Sequence, residues 1–207
     1  TEGADAPPVF FVAGGGGLGV AFVALARRLD RASYALQMHG MERRGLPDWT
    51  VARAAKRNIA AMRTVAPQGP YVIAGHSYGG LVAFEMAHQL RVAGEVVALL
   101  AILDSFPPDP AQHPAPEPRP LLARVKAGLG LAATGWATTP GTGNYWRFYD
   151  LTSFVGRHHR SRPYPGRAVV LVAESPEKEQ RSAWAPHLTG DWQLVEVPGD
   201  HLSMLRE

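Results

Sequence analysis

The sequence predicts an α/β fold: a mostly parallel sheet covered by helices on both faces and interrupted by one helical insertion. Three observations carry this expectation. Short apolar runs alternate with helix-period segments up to residue 105, one strand passes into a helix through a glycine-rich turn, and seven prolines fall within residues 107–120. Strands that read as unbroken apolar runs are buried on both sides, which is the signature of a parallel sheet.

The elements follow in order. Val9–Val12 is the first short apolar run, and a helix is expected over residues 17–29 before a second strand at 34–38. The spacing of Val51, Ala55, Ile59 and Met62 places them on one face of a helix over residues 50–65. A third strand at 71–74 leads into a mostly apolar helix over 79–92 that Gly94 stops, and a fourth strand covers 96–103. After residue 165 the alternation resumes with Ala168–Ala173, a short helix at 178–187 and a strand at 193–197. Residues 106–165 therefore read as an insertion, with helices expected at 120–131 and 144–160 and a Gly/Thr-rich break at 135–143. The chain reads as a single domain, 1–207, with core 8–105 and 166–207.

Composition narrows the chemistry. With 46% hydrophobic and 19% charged residues over 207 positions, the chain is long and apolar enough for one packed core, which excludes disorder and coiled coil. The longest apolar run has eight residues, Val96 to Leu103, against the roughly 20 that cross a bilayer. Thr1 to Asp5 has no signal-peptide pattern, so a cytoplasmic protein without membrane contact is expected. Without cysteine there is no disulfide, no thiolate nucleophile and no thiolate metal site. No two histidines stand three or four apart, so no helix face offers a metal-ligand pair, and none is expected. The pI near 9.4 comes from a surplus of only three charges, with no basic motif and stacking aromatics for nucleic acid.

The sharpest feature is Gly75-His76-Ser77-Tyr78-Gly79-Gly80, between a buried strand and a buried helix. Such a G-x-S-x-G turn lifts the serine oxygen above the sheet and needs glycine where backbones crowd. The helix N-terminus adds amides that favour developing negative charge. Ser77 is the candidate nucleophile. Its base is His201, the histidine in a loop just after a late strand, within Val197-Pro198-Gly199-Asp200-His201. Two carboxylates could orient that base. Asp104 ends an eight-residue apolar run, where a charge needs a partner, and Glu174 ends the following strand but heads a polar stretch; Asp104 is preferred. Asp200 is read as shaping the loop, and His76, beside the serine, as pointing away from it.

The stretch Gln68 to Ala87, together with the opening Pro8 to Gly17, the strand end Leu103-Asp104-Ser105 and Val197 to His201, resembles the thioesterase domains of polyketide synthases and nonribosomal peptide synthetases. The resemblance implies an α/β-hydrolase fold, a helical lid in residues 106–165 and the acid on the strand after the nucleophile, at Asp104. It also implies two oxyanion amides: Tyr78, after the nucleophile, and Gly15, with Gly14 as the alternative because Ala13-Gly14 replaces the family's usual His-Pro. The substrate implied is a polyketide or peptide chain held as a thioester on the phosphopantetheine of an acyl or peptidyl carrier protein. No cofactor of the chain's own is implied. Release proceeds by hydrolysis or cyclisation; the alternatives are a stand-alone editing thioesterase and a small-ester esterase. A remoter alternative, an NADP-binding oxidoreductase, comes from Gly14-x-Gly16-x-x-Gly19. Against it, Met38-His39-Gly40 stands where the acidic ribose contact belongs, and no Tyr-x-x-x-Lys pair exists.

Overall fold

The computed structural model describes residues 6–41, 45–113, 128–132, 134 and 143–206. Six strands form one sheet: β1 (Val9–Val12), β2 (Ser33–Leu36), β3 (Tyr71–His76), β4 (Val97–Leu103), β5 (Ala168–Ala173) and β6 (Trp192–Val197). Their spatial order is β2-β1-β3-β4-β5-β6, and every neighbouring pair is parallel. The period of two sends alternate side chains to opposite faces. On β1, Phe10 and Val12 join one core while Val9 and Phe11 join the other; on β3, Tyr71 and Ile73 part from Val72 and Ala74 in the same way.

The larger core lies under α2 (Val51–Val65) and α3 (Tyr78–Val92). The α2 helix starts where the Thr50 side chain accepts from the Arg53 amide at 3.1 Å, and it buries Val51, Ala55, Ile59 and Met62. The α3 helix is mostly apolar and buries nine of its fifteen residues, because it packs on β3 and β4 and against α2 and the helix over 143–158. The helix α4 (Gly143–His158) adds Leu151 and Val155 to this core. The opposite face is covered by Phe22, α1 (Val23–Arg28) and Leu205, with the Phe11 and Phe22 rings stacked at 4.7 Å.

The elements depart from the sequence pattern at specific places. The helix expected over 17–29 is a 3-10 turn at Gly19–Phe22 followed by α1. Its start is spent on a glycine turn, in which the Gly17 amide donates to the Gly14 carbonyl at 2.9 Å. Strand β2 ends at Leu36 because its partner β1 has only four residues to pair with. The helix expected over 178–187 divides into α5 (Lys178–Ser182) and a 3-10 turn at Ala185–His187, where Pro186 has no amide to continue the ladder. The 144–160 expectation is met by α4 within two residues at its C-terminal end. Residues 128–132 are helical; the rest of the expected 120–131 helix, and the break at 135–143 apart from Gly143, lie outside the described residues. Among the described residues no helix is long and apolar enough to cross a membrane.

Candidate active site

The site forms at the carboxyl ends of β3 and β4 and in the loop after β6, the edge where open α/β sheets gather their chemistry. Between β3 and α3 stands Ser77 with φ 55° and ψ −128°, a conformation that a non-glycine residue rarely holds. Its neighbours over-determine it. The Ser77 amide donates to the Leu103 carbonyl, and the Ser77 carbonyl accepts from the Gly80 amide, both at 2.9 Å. A Cβ on Gly75 would collide with the Gly79 carbonyl, and one on Gly79 with the carbonyls of Val12 and Ala13. Gly79→Ala is therefore expected to cost about 3 kcal/mol in urea unfolding, as overpacking against backbone does. Gly128→Ala, with open space around it, is expected to be neutral or slightly stabilising in the same assay.

Asp104 directly follows β4 and is fully buried, with φ 45°. Its Oδ1 accepts from the Ala173 amide at 3.1 Å, and its Oδ2 lies 2.5 Å from His201 Nδ1. Burial pushes the Asp104 carboxyl upward, but His201, Arg181 and the Ala173 amide outweigh it and hold the group below the usual carboxylate range. Its ionised form thus adds to stability at neutral pH, and that contribution is lost as the pH falls through the lowered folded value. Bonded to a carboxylate, Nδ1 of His201 carries the proton, so in the neutral ring Nε2 keeps its lone pair. Glu174 goes elsewhere: its carboxylate is exposed and meets Lys178 at 2.9 Å. Asp200 accepts from the Leu202 and Ser203 amides at 2.8 Å, which folds the loop that carries His201.

His76 is closer to the site than the turn pattern indicated. Its Nε2 donates to the His201 carbonyl at 2.7 Å, and the two rings lie 4.5 Å apart. Burial, aided by His201, lowers His76 to about 4, so it is neutral at physiological pH. Arg181 of α5 is a group that the sequence did not single out; it sits 3.4 Å from Asp104 Oδ2.

Tyr78 supplies the first amide of α3, directly after the serine. Of the two glycine candidates, Gly14 lies against the serine: a Cβ there would be 3.2 Å from the Ser77 Cβ. Gly15 faces α4 instead, and a Cβ there would run into the Thr152 hydroxyl. Gly16, with φ 70°, is covered by Tyr145 of the same helix, so α4 packs directly over the glycine turn. Among the described residues no hydrogen bond joins Ser77 Oγ to His201 Nε2, a contact that tightens in many hydrolases only with substrate present. A cavity of about 20 Å³ under Tyr78, bordered by Val12, Asp48 and Asn58, is too small for an acyl chain.

The parallel six-stranded sheet with its covering helices is an α/β-hydrolase fold. The chain belongs to the thioesterase domain family, which matches it over residues 7–133. It is 40% identical over 105 residues to a dimodular nonribosomal peptide synthase of Bacillus subtilis (strain 168), covering 50% of this chain and 4% of that protein. Indigoidine synthase of Dickeya dadantii (strain 3937) is 40% identical over 98 residues, covering 46% and 7%. A protein named inactive atromentin synthetase invA4, of Paxillus involutus, is 41% identical over 103 residues, covering 48% and 11%. The chain thus spans only a small part of the length of these relatives. Among solved structures, the NocB thioesterase domain in covalent complex with a fluorophosphonate nocardicin G analog matches with a TM-score of 0.73 and 25% identity, covering 99% of this chain and 89% of that one. The type II thioesterase BorB from the borrelidin cluster shares the fold with a TM-score of 0.73 at 19% identity, covering 98% and 89%.

Proposed function

We propose that the chain is a serine thioesterase that takes an acyl chain, polyketide or peptide, from the phosphopantetheine thioester of a carrier protein, with Ser77, His201 and Asp104 as its triad. The observation that carries this reading is the convergence of a serine held at φ 55° with a buried carboxylate 2.5 Å from a histidine that comes from a separate loop. His201 Nε2 takes the Ser77 proton as Oγ attacks the thioester carbonyl. The tetrahedral oxyanion is held by the Tyr78 amide and by that of Gly15, with Gly14 as the alternative second donor. Collapse breaks the C–S bond, the imidazolium returns its proton to the departing thiol, and an acyl-serine remains. His201 then deprotonates water, which releases an acid, or a nucleophile of the chain, which closes a ring.

In this reading 1–207 is a single domain in which residues 106–165 act as the lid over a core of 8–105 and 166–207, and the setting is the cytoplasm. Packing of α4 over the Gly14–Gly17 turn supports a lid that governs access of water and chain to the serine. Arg160 and Arg162, both exposed after α4, supply positive charge for an acidic carrier. The test is a carrier protein loaded with an acyl chain on its phosphopantetheine and followed by intact-mass spectrometry. Discharge to the free-thiol carrier, with a released acid or ring, is the expected result. Cleavage of small oxygen esters with the carrier left loaded would make the protein an esterase.

A further inference from the structure

Arg181 is a buried cation that the mechanism above leaves unused. Only 8% of its surface is exposed, and it reaches toward the acid. Nη1 stands 3.4 Å from Asp104 Oδ2, the same oxygen that His201 Nδ1 approaches to 2.5 Å. Nη1 also donates to the Asp104 backbone carbonyl, and the guanidinium lies over the Phe106 ring, 4.3 Å from its centroid. Two residues beyond α5, Trp184 Nε1 donates to the Ser105 carbonyl at 2.9 Å. Trp184 thus already ties this part of the chain to residues 104–106, and a purely bracing contact beside Phe106 could be apolar at lower desolvation cost.

We infer that Arg181 is a positioning residue that sets the strength of the His201 base: by sharing Asp104 Oδ2 with His201, its fixed charge weakens the hold of the carboxylate on the imidazolium. This rests on the proposed roles of Ser77, His201 and Asp104. Among the described residues, His201 is faced by Asp104 after β4, by His76 at the end of β3 and by Asp200 from its own loop; Arg181 is faced by Asp104, Glu177 and Tyr149, and by His76 and by His113, whose ring lies beside Phe106. His76 is neutral in the working range and Asp200 is turned to backbone amides, so Arg181 is the cation whose loss changes the charge balance at Oδ2. The consequence lies in the reaction: once His201 has taken the Ser77 proton, it gives it up more readily to the leaving sulfur.

The test separates charge from hydrogen bonding. Arg181→Lys keeps the charge and loses the planar fork, whereas Arg181→Gln loses the charge and keeps a donor for the Asp104 carbonyl. The readout is the rate at which a fluorophosphonate probe labels Ser77 between pH 5 and 9, each variant first shown folded by circular dichroism. The acid limb of the wild-type curve should be kept by Arg181→Lys and displaced upward by about one pH unit in Arg181→Gln, the direction expected when a cation beside a base is removed. If Arg181→Gln does not fold, Arg181→Met serves as the neutral variant. Identical limbs in all three proteins, with only the amplitude lowered, would overturn the inference and leave Arg181 a brace. Failure of the wild type to be labelled at Ser77 would instead overturn the catalytic reading beneath it.

Discussion

Ser77→Ala is expected to lower kcat for an acyl thioester by on the order of 10⁶, the scale of loss when a serine nucleophile that works with its base is removed. The reason lies in position as much as in chemistry. Ser77 alone occupies the φ 55° corner between β3 and α3, with its backbone tied to Leu103 and Gly80, and no cysteine exists to replace it. The residual rate should come from binding and the amides at the start of α3. Alanine removes one hydroxyl from a half-buried position, so the urea midpoint should change by less than about 1 kcal/mol in stability terms. A variant that keeps most of its activity would end the serine-hydrolase reading.

The second large effect separates the two carboxylates. Asp104→Asn is expected to reduce kcat by about 10⁴, the loss seen when the orienting acid of a serine triad becomes an amide and the imidazole adopts the wrong tautomer. Glu174→Gln should cost little, since Glu174 is exposed and meets Lys178. Asparagine at 104 also leaves Arg181 buried beside a neutral group, so stability should fall by roughly 1–3 kcal/mol. Activity is therefore to be compared at a temperature where both variants are folded by circular dichroism. The opposite ranking would move the acid to the end of β5.

Much of the fold was legible because burial on both sheet faces writes itself as apolar runs. Val9–Val12 and Ala168–Ala173 coincide with β1 and β5, and the one-sided pattern of Val51, Ala55, Ile59 and Met62 is the buried face of α2. What was illegible depended on partners distant in sequence. The end of β2 is set by the length of β1, and the late start of α1 by a glycine turn that sequence does not distinguish from a helical start. In the site, the serine turn was visible because Gly75 answers a steric demand from Gly79 a few residues on, although Gly79 itself is required by the carbonyls of Val12 and Ala13 at the distant end of β1. Asp104 stood out as a charge closing an apolar strand, and the structure places it against His201, 97 residues away. Arg181 gave no such signal. It sits in a polar stretch that reads as a solvated helix, and its burial arises only when α5 is laid against Asp104 and Phe106. The contact of His76 with His201 was equally hidden, since it depends on where the loop after β6 comes to rest.

In the proposed reaction every turnover passes through an ester on Ser77. The direct measurement is rapid acid quench of the protein during turnover of an acyl thioester, followed by digestion and tandem mass spectrometry of the peptide that holds residues 75–80. The mass of the acyl group is expected on Ser77 at a level that rises within the first turnover, and it is expected to be absent from Ser77→Ala. Turnover with no adduct on that peptide, or an adduct on another residue, would contradict it.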